Sequence, residues 1–394
     1  MFTKKIIAIV FTILLVFGSA SISFSAGEDI ETAPPVVKTI AHLEFTGPTV
    51  ELSLEKALSD ALKSGSAIQA AEIKKKADAA DARANAESLS SMESANQQAS
   101  ETDSFGGTTY GKTALNKAIK AEEYYKGMAD RNYEAAKNQI AYSITNSYYT
   151  LLHAEKSLKI AQDSLRLQEF VLEITQKKFA AGLSPQQDVL QAEINVNSAR
   201  AELASAEINL AEKKMIFNED LGYEQMQDIK LTSPLERAKF PELSLESALS
   251  GALQNRNELY MRAYNVLKAE LELESWRGYV IFSSVHKARN ALLTAEKSYR
   301  DTENSIKREI RMNYANMINN QNQINNAELS AAKAEKSLEI VLAKYQLGMA
   351  TVSEIHQAEI DSSKAEKSLV DVILKYNLSV LEYSQAATVG RSIN

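Results

Sequence analysis

Few residues of this chain have the types and spacing that catalysis or metal binding requires. Its histidines are scattered, and none belongs to an H-E-x-x-H pattern, which places two imidazoles on one helix face to hold zinc. The chain has neither a glycine-rich phosphate loop nor a G-x-S-x-G turn that would expose a serine nucleophile. It has no cysteine, which excludes disulfides and thiolate metal sites. We therefore predict that the protein is not an enzyme and that it holds no metal or cofactor. The four histidines are His42, His153, His286 and His356.

Two acidic residues occupy matching positions after two glycines. Asp188 lies six residues after Gly182, and Glu354 lies six residues after Gly348. These carboxylates could be ordinary solvated charges, or they could act together at the mouth of a pore, and the spacing alone leaves both interpretations open. His356 lies two residues after Glu354, and we expect the two to form a surface pair.

The segments that position these residues are copies of one another. With a constant offset of 166, Gly182 matches Gly348, and the run 191–194 matches the run 357–360, both reading Q-A-E-I. A second match, at offset 191, relates E-L-S-L-E at 51–55 to the same letters at 242–246. A fixed-period repeat decides the architecture, and here it indicates a duplication built around two sharp turns between long helices.

Composition supports an all-α protein. The 394 residues include 14 Gly and 6 Pro, most of them outside the periodic segments. The net charge of −7 is spread as mixed lysine and glutamate, without the basic patch that nucleic-acid binding requires.

The N-terminus has the pattern of an export signal. Lys4 and Lys5 precede an apolar run at 6–17, which is too short to span a bilayer, and small residues follow up to Ala26. A retained membrane anchor is the alternative. We expect a signal peptide at 1–26, an extended leader at 27–50, a first repeat at 51–219, a linker at 220–241 and a second repeat at 242–390.

Glycine and proline set the expected helix ends. Gly182 suits the position that ends a helix, and Pro185 suits the first turn of the next one. Each half is expected to have one long helix and two shorter helices that stack end to end beside it. The predicted helices span 53–88, 113–181, 186–218, 244–275, 289–347 and 352–387, with a break near Gly278.

A seven-residue repeat indicates how these helices pack. Val196, Leu203, Leu210 and Phe217 recur at intervals of seven after the first turn, and Ile355, Tyr376 and Tyr383 occupy the equivalent seam after the second. Such spacing produces left-handed antiparallel coiled coils. Alanines in the alternating positions leave a slim apolar seam, which favours an oligomer.

The two repeated motifs together resemble the TolC family of outer-membrane efflux proteins. The opening motif is L-S-L-E-K-A-L at 52–58 with its copy at 243–249, and the turn motif is K-F-A-A-G-L at 178–183 with its copy from 344. The resemblance implies a homotrimer whose twelve rods form a hollow α-helical barrel. It also implies a periplasmic adaptor protein at the turns and an inner-membrane pump of the RND or ABC type. The adaptor-facing residues would be Gly182, Leu183, Gly348 and Met349.

The resemblance also suggests how the entrance is gated. Glu354 falls where the family has an acidic ring, while Tyr345 and Asp188 match two partners of a polar network that holds the tips shut. The third partner in the family is an arginine, and here that residue is Ala350. Three copies of Glu354 around a narrow axis would raise one another's pKa and favour cations.

One departure from the family concerns the membrane. A spanning strand needs about 9–11 residues, yet the segment 87–112 is rich in serine and glutamine, and 276–289 offers a single apolar run. We therefore expect the β-barrel to be reduced or absent. Trp276 and Phe282 could be an interfacial anchor or could pack in the core.

These observations favour a passive exit duct in an efflux or type I secretion-like system of the cell envelope. The protein would lie in the outer membrane or a periplasm-like space. The alternative is a structural or adhesive coiled-coil stalk without a conducting lumen.

Overall fold

A computed structural model describes residues 45–101, 109–276 and 282–391. The expected signal peptide and nearly all of the leader lie outside these ranges. No helix in the described ranges is both long enough and apolar enough to cross a membrane. The described elements are β1 (Thr46–Leu52), α1 (Leu54–Ser64), α2 (Ser66–Glu101), α3 (Thr109–Ala180), α4 (Gln186–Leu221), β2 (Gln227–Leu231), α5 (Leu245–Asn255), α6 (Asn257–Ser275), α7 (Phe282–Gln346) and α8 (Val352–Ala386).

Long helical hairpins dominate the structure, as the duplication predicts. Helix α3 has 72 residues and α7 has 65, which correspond to about 108 Å and about 98 Å of helix. Helix α3 returns as α4, and α7 returns as α8. Most of the predicted seam is confirmed: Val196, Phe217, Ile355, Tyr376 and Tyr383 are buried, whereas Leu203 and Leu210 are half-buried.

The single opening helix predicted in each half is wrong, because each is broken in two. Gly65 separates α1 from α2, and Arg256 separates α5 from α6; both have extended backbone angles. The two breaks are 191 residues apart, so they are equivalent in the repeat. A side chain at Gly65 would place its Cβ 2.6 Å from the carbonyl oxygen of Ala61, which explains why the first break carries glycine.

At the second break, Arg256 forms an ion cluster in which the arginine is buried and its carboxylate partners reach solvent. Its side chain is only 6% exposed. Both terminal nitrogens donate to Glu309 at 2.9 Å, and Nε and Nη2 donate to Glu258 at 3.0 and 2.7 Å. Gly390 packs against the guanidinium, where an added Cβ would come within 3.0 Å of Nε. The cluster ties α6, α7 and the C-terminal segment together.

Several predicted helix ends also differ from the structure. Helix α2 continues to Glu101 rather than stopping near 88, α3 begins at Thr109 rather than 113, and α7 begins at Phe282 rather than 289. Relative to alanine, serine and glutamine lower helix stability by no more than about 0.7 kcal/mol per residue. The serine- and glutamine-rich residues up to Glu101 are therefore helical despite their polar composition. Within the segments 87–112 and 276–289, residues 102–108 and 277–281 lie outside the described residues. The expected break near Gly278 also falls there. Phe282 is 75% exposed, which contradicts core packing for this side chain.

The rods of one chain form a layer with two open edges. Toward the turns, α3 packs against α4 and α8, and α8 packs against α7. Two side-chain contacts cross this order, Lys367 on α8 with Glu202 on α4 at 2.7 Å and Tyr345 on α7 with Thr175 on α3 at 2.6 Å. Farther from the turns, α1 and α2 lie beside α3 on the α4 side, and α5 and α6 lie beside α7 on the α8 side. The divided opening helix and the returning helix of each half therefore lie end to end beside the long helix, as predicted. Helix α4 and helix α7 are left as the outer rods.

A short parallel sheet and a fixed linker lie midway along the layer. Strand β1 pairs with β2, with Val50 opposite Ile229 and Leu52 opposite Leu231. The Asn218 carboxamide donates to the carbonyls of Gln225 and Gln227 at 2.9 Å. Asn377 accepts from the amide of Ala238 at 2.8 Å and donates to the carbonyl of Glu236 at 2.8 Å.

Two tyrosine hydroxyls hold the starts of the two repeats. Tyr148 donates to the Leu52 carbonyl at 3.2 Å, and Tyr383 donates to the Leu243 carbonyl at 3.1 Å. Leu52 and Leu243 are equivalent in the duplication, but the tyrosines are not, since one lies on α3 and the other on α8. Each half therefore anchors the start of its opening segment with a tyrosine hydroxyl, but the tyrosine comes from a different helix in each half.

Candidate functional site

Both turns have the same backbone geometry. Gly182 has φ +70° and Gly348 has φ +76°, in the left-handed region that favours glycine. In the first turn, the amide of Gly182 donates to the carbonyl of Phe179 at 2.9 Å, and the amide of Leu183 donates to that of Lys178 at 2.8 Å. The second turn repeats this pair of bonds, which forms a Schellman motif that ends the long helix.

Large apolar side chains project into solvent at both turns. Leu183 is 78% exposed, Leu347 is 75% exposed and Met349 is 71% exposed, and Phe179 is also exposed. Exposed apolar side chains grouped at one end of a molecule indicate an interaction surface.

Tyr345 joins the two hairpins just behind the turns. Its hydroxyl lies 2.6 Å from Oγ1 of Thr175 on α3, and both residues are buried. Lys178 covers the same tyrosine, with Nζ donating to the Tyr345 carbonyl and lying 3.7 Å from the ring centroid. Burial raises the pKa of Tyr345 and lowers that of Lys178. The second hairpin is therefore attached to the first within a single chain.

Asp188 lies near Tyr345 and Lys178, but its hydrogen bond is to Ser184. Its carboxylate accepts from the Ser184 hydroxyl at 2.7 Å, at the start of α4. Its negative charge still contributes to the raised pKa of Tyr345. The same charge opposes the lowering of the Lys178 pKa by burial.

Glu354 caps helix α8. Its carboxylate accepts from the amide of Thr351 at 2.7 Å and from the Thr351 hydroxyl at 3.0 Å, while the Glu354 amide donates back to that hydroxyl at 3.2 Å. These bonds form a capping box and lower the pKa of Glu354 within one chain. Ala350, in place of the family's arginine, packs against the apolar cluster behind the turns.

Two contacts near the turns were not anticipated from the sequence. Thr175 has no signal in the sequence that separates it from other helical residues. Lys178 begins the repeated turn motif, but the motif does not predict its contact with Tyr345, which depends on the approach of α7. His356 lies on α8 with Nδ1 3.4 Å from Nε2 of the buried Gln168, so its partner is across the helix pair and not Glu354.

The described fold is a duplicated pair of long helical hairpins with both turns at one end. The chain belongs to the outer membrane efflux protein family, whose model matches residues 110–214 and 235–386. Family membership makes it an efflux protein of the cell envelope.

Solved structures show the same fold at low sequence identity. VceC from Vibrio cholerae is 17% identical with a TM-score of 0.66, covering 86% of this chain and 96% of that one. The CmeC channel of Campylobacter jejuni is 14% identical with a TM-score of 0.64, covering 86% of each chain. The open-state MtrE channel of Neisseria gonorrhoeae is 12% identical with a TM-score of 0.63, covering 86% of this chain and 91% of that one. A search of curated proteins found no match.

Proposed function

We propose that three copies of this chain close into a hollow helical duct, through which a pump expels its substrate. The observation that carries this proposal is the layer with two open edges. Exposed apolar side chains lie on both edges, Ile194 and Ile208 on α4 and Leu329 and Ile340 on α7. A single layer leaves these side chains in water, whereas a ring of copies covers both edges and encloses a lumen.

The turns are the end at which a periplasmic adaptor docks in this proposal. Leu183 and Met349 are held out from the rods by glycine turns of identical geometry, so they present a rigid apolar surface. An inner-membrane pump of the RND or ABC type would deliver substrate through that adaptor. Glu354 and Asp188 lie behind the same turns and supply negative charge at the entrance.

The first test is the mass of the assembled protein. Light scattering coupled to size exclusion, on residues 27–394 without detergent, should give an elongated trimer. A monomer or a dimer would contradict the duct and favour a stalk without a lumen.

The second test concerns transport. Deletion of the gene from its source cell should raise accumulation of the pump's substrates, and the intact chain should restore export. Normal export in the deletion strain would argue for a structural role instead.

A further inference from the structure

A short segment follows helix α8 and crosses to the other repeat. Helix α8 ends at Ala386, and residues 387–391 come after it. This segment lies between α3 of the first repeat and the junction of α5 with α6 in the second, because groups from both bond to it. At its end, the Arg391 guanidinium lies 4.1 Å from the ring centroid of Tyr142 on α3.

Asn138 on α3 holds the segment from the side of the first repeat. Its carboxamide donates to the Thr388 hydroxyl at 3.2 Å and to the Gly390 carbonyl at 2.8 Å. Its main-chain carbonyl accepts from the carboxamide of Gln385 at 2.8 Å, in the last turn of α8. One residue of the first repeat is thus attached at three points to the end of the second.

The junction of α5 and α6 holds the same segment from the other side. Asn257 begins α6, and its amide donates to the Val389 carbonyl at 3.4 Å. The first amides of a helix have no acceptor within that helix, so the segment supplies one. Arg256 donates from Nη1 to the Ala386 carbonyl at 3.5 Å, and its guanidinium lies against Gly390.

Gly251 shows how closely the segment is seated. This glycine lies inside helix α5, where glycine is less favourable than alanine. A Cβ at this position would lie 2.8 Å from the carbonyl oxygen of Ala387, which is closer than the two atoms can pack. The approach of the segment therefore accounts for a glycine in the interior of a helix.

We infer that residues 387–391 are a clasp that fastens α3 of the first repeat to the junction of α5 and α6 in the second, and that release of this clasp frees the start of α6. A few hydrogen bonds hold the clasp, and each contributes little net stability because water can replace the partner. Thr388 is exposed, so the clasp can open locally while the long helices stay folded. All of these contacts lie within one chain, so the clasp does not depend on the proposed duct.

The first test removes the link to α3. Asn138→Ala should raise hydrogen exchange about tenfold at 387–391 and at the start of α6, measured by mass spectrometry, because two hydrogen bonds to the clasp are lost. Asn132→Ala is the matched control. Asn132 is also half-buried on α3, but its carboxamide donates to Asp78 at 3.1 Å and not to the clasp. Exchange at the same amides should stay within about twofold in the control.

The second test compares Gly251→Ala in the original chain and in a chain that ends at Ala386. Without the clasp, alanine should favour folding by about two- to fivefold in the equilibrium constant, as in an ordinary helix interior. In the original chain the same substitution should disfavour folding, because the Ala387 carbonyl has to move away. Urea unfolding of the four proteins gives the sign of each effect.

Two results would overturn the inference. Stabilisation of both chains to the same extent by Gly251→Ala would show that the segment is not seated on α5. Equal exchange in Asn138→Ala and Asn132→Ala would show that the segment does not fasten α3. If the shortened chain does not fold, the exchange comparison in the two full-length asparagine variants decides the question by itself.

Discussion

The hydroxyl of Tyr345 lies 2.6 Å from the hydroxyl of Thr175, and this contact joins α7 to α3 behind the turns. Thr175 also donates to the carbonyl of Val171 at 2.7 Å, so in this buried contact the Tyr345 hydroxyl is the donor and Thr175 the acceptor. The two hairpins of one chain are thus attached to each other where a duct entrance would have to open.

The hydrogen bond between these hydroxyls should couple the two residues energetically. Thr175→Val leaves the buried Tyr345 hydroxyl without its partner and should lower the free energy of unfolding by about 1–3 kcal/mol. Tyr345→Phe should cost less, because Thr175 keeps its hydrogen bond to the Val171 carbonyl. The double variant removes both groups and should cost less than the sum of the two. Urea unfolding of all four proteins measures the coupling energy, and additive effects would show that the contact contributes nothing.

The glycine turns offer a test without steric complication. A Cβ added at Gly182 or Gly348 meets nothing within 4 Å, so substitution acts through the positive φ alone. Gly348→Val should cost about 1–2 kcal/mol, whereas Gly348→Asn should cost less because asparagine tolerates this conformation. In the proposed function, valine at either glycine impairs export or adaptor docking more than it impairs secretion of the chain. Intact export with both glycines replaced by valine would count against the turns as the docking end.

Glu354 makes the stability of α8 depend on pH. Its pKa is lowered in the folded chain by hydrogen bonds from Thr351. A lowered pKa means that the stabilisation is present above the unfolded value, about 4.3, and is lost as the pH falls through the folded pKa. We expect Glu354→Gln to lower the melting temperature slightly at pH 7 and to match the original chain in strong acid. A difference that persists at low pH would point to a cause other than this charge.

Thr351 provides a separate check of the same cap. Thr351→Ala removes the hydroxyl that accepts from the Glu354 amide and should cost about 1 kcal/mol. Thr351→Ser keeps the hydroxyl and should preserve stability, as thermal unfolding can show.

Arg256 should be among the most sensitive positions of the chain. Burial disfavours the Glu258 carboxylate, yet its hydrogen bonds from Arg256 hold its pKa below the ordinary value. Arg256→Ala strands Glu258 in a partly buried site and should cost about 3–5 kcal/mol in chemical unfolding. The exposed pair Lys230 and Glu51 is the control, because Lys230→Ala should change stability by less than about 1 kcal/mol.

The features that follow from local chemistry could be predicted from the sequence. Gly182 and Gly348 were identified by the repeat, and both have the positive φ that makes glycine favourable there. The break at Gly65 had a signal, since a glycine between two serines lies inside an otherwise helical segment. The break at Arg256 has no signal of its own and is recognisable only because it lies 191 residues after Gly65.

Features that depend on distant contacts could not be predicted. Strand β1 pairs with β2 at Val50 and Ile229, which are 179 residues apart, and neither segment alternates strongly enough to indicate a sheet. The hydrogen-bond partner of Tyr345 could not be predicted either. Whether its hydroxyl bonds to Thr175 or to Asp188 depends on how α7 packs against α3.

In the proposed duct, the hydrogen-bonded linker would act as a pivot. Asn218 and Asn377 hold the chain between the repeats at several backbone groups, so the two hairpins cannot swing freely there. Helix α4 extends 36 residues from this region to its turn, a lever of about 54 Å. A rotation of about 5° at the pivot displaces the turn by about 5 Å on a lever of this length. In the proposed function, an adaptor that pulls on the turns would move them through a small angular change beside Asn218, and the stiffness there would set the force needed to widen the entrance.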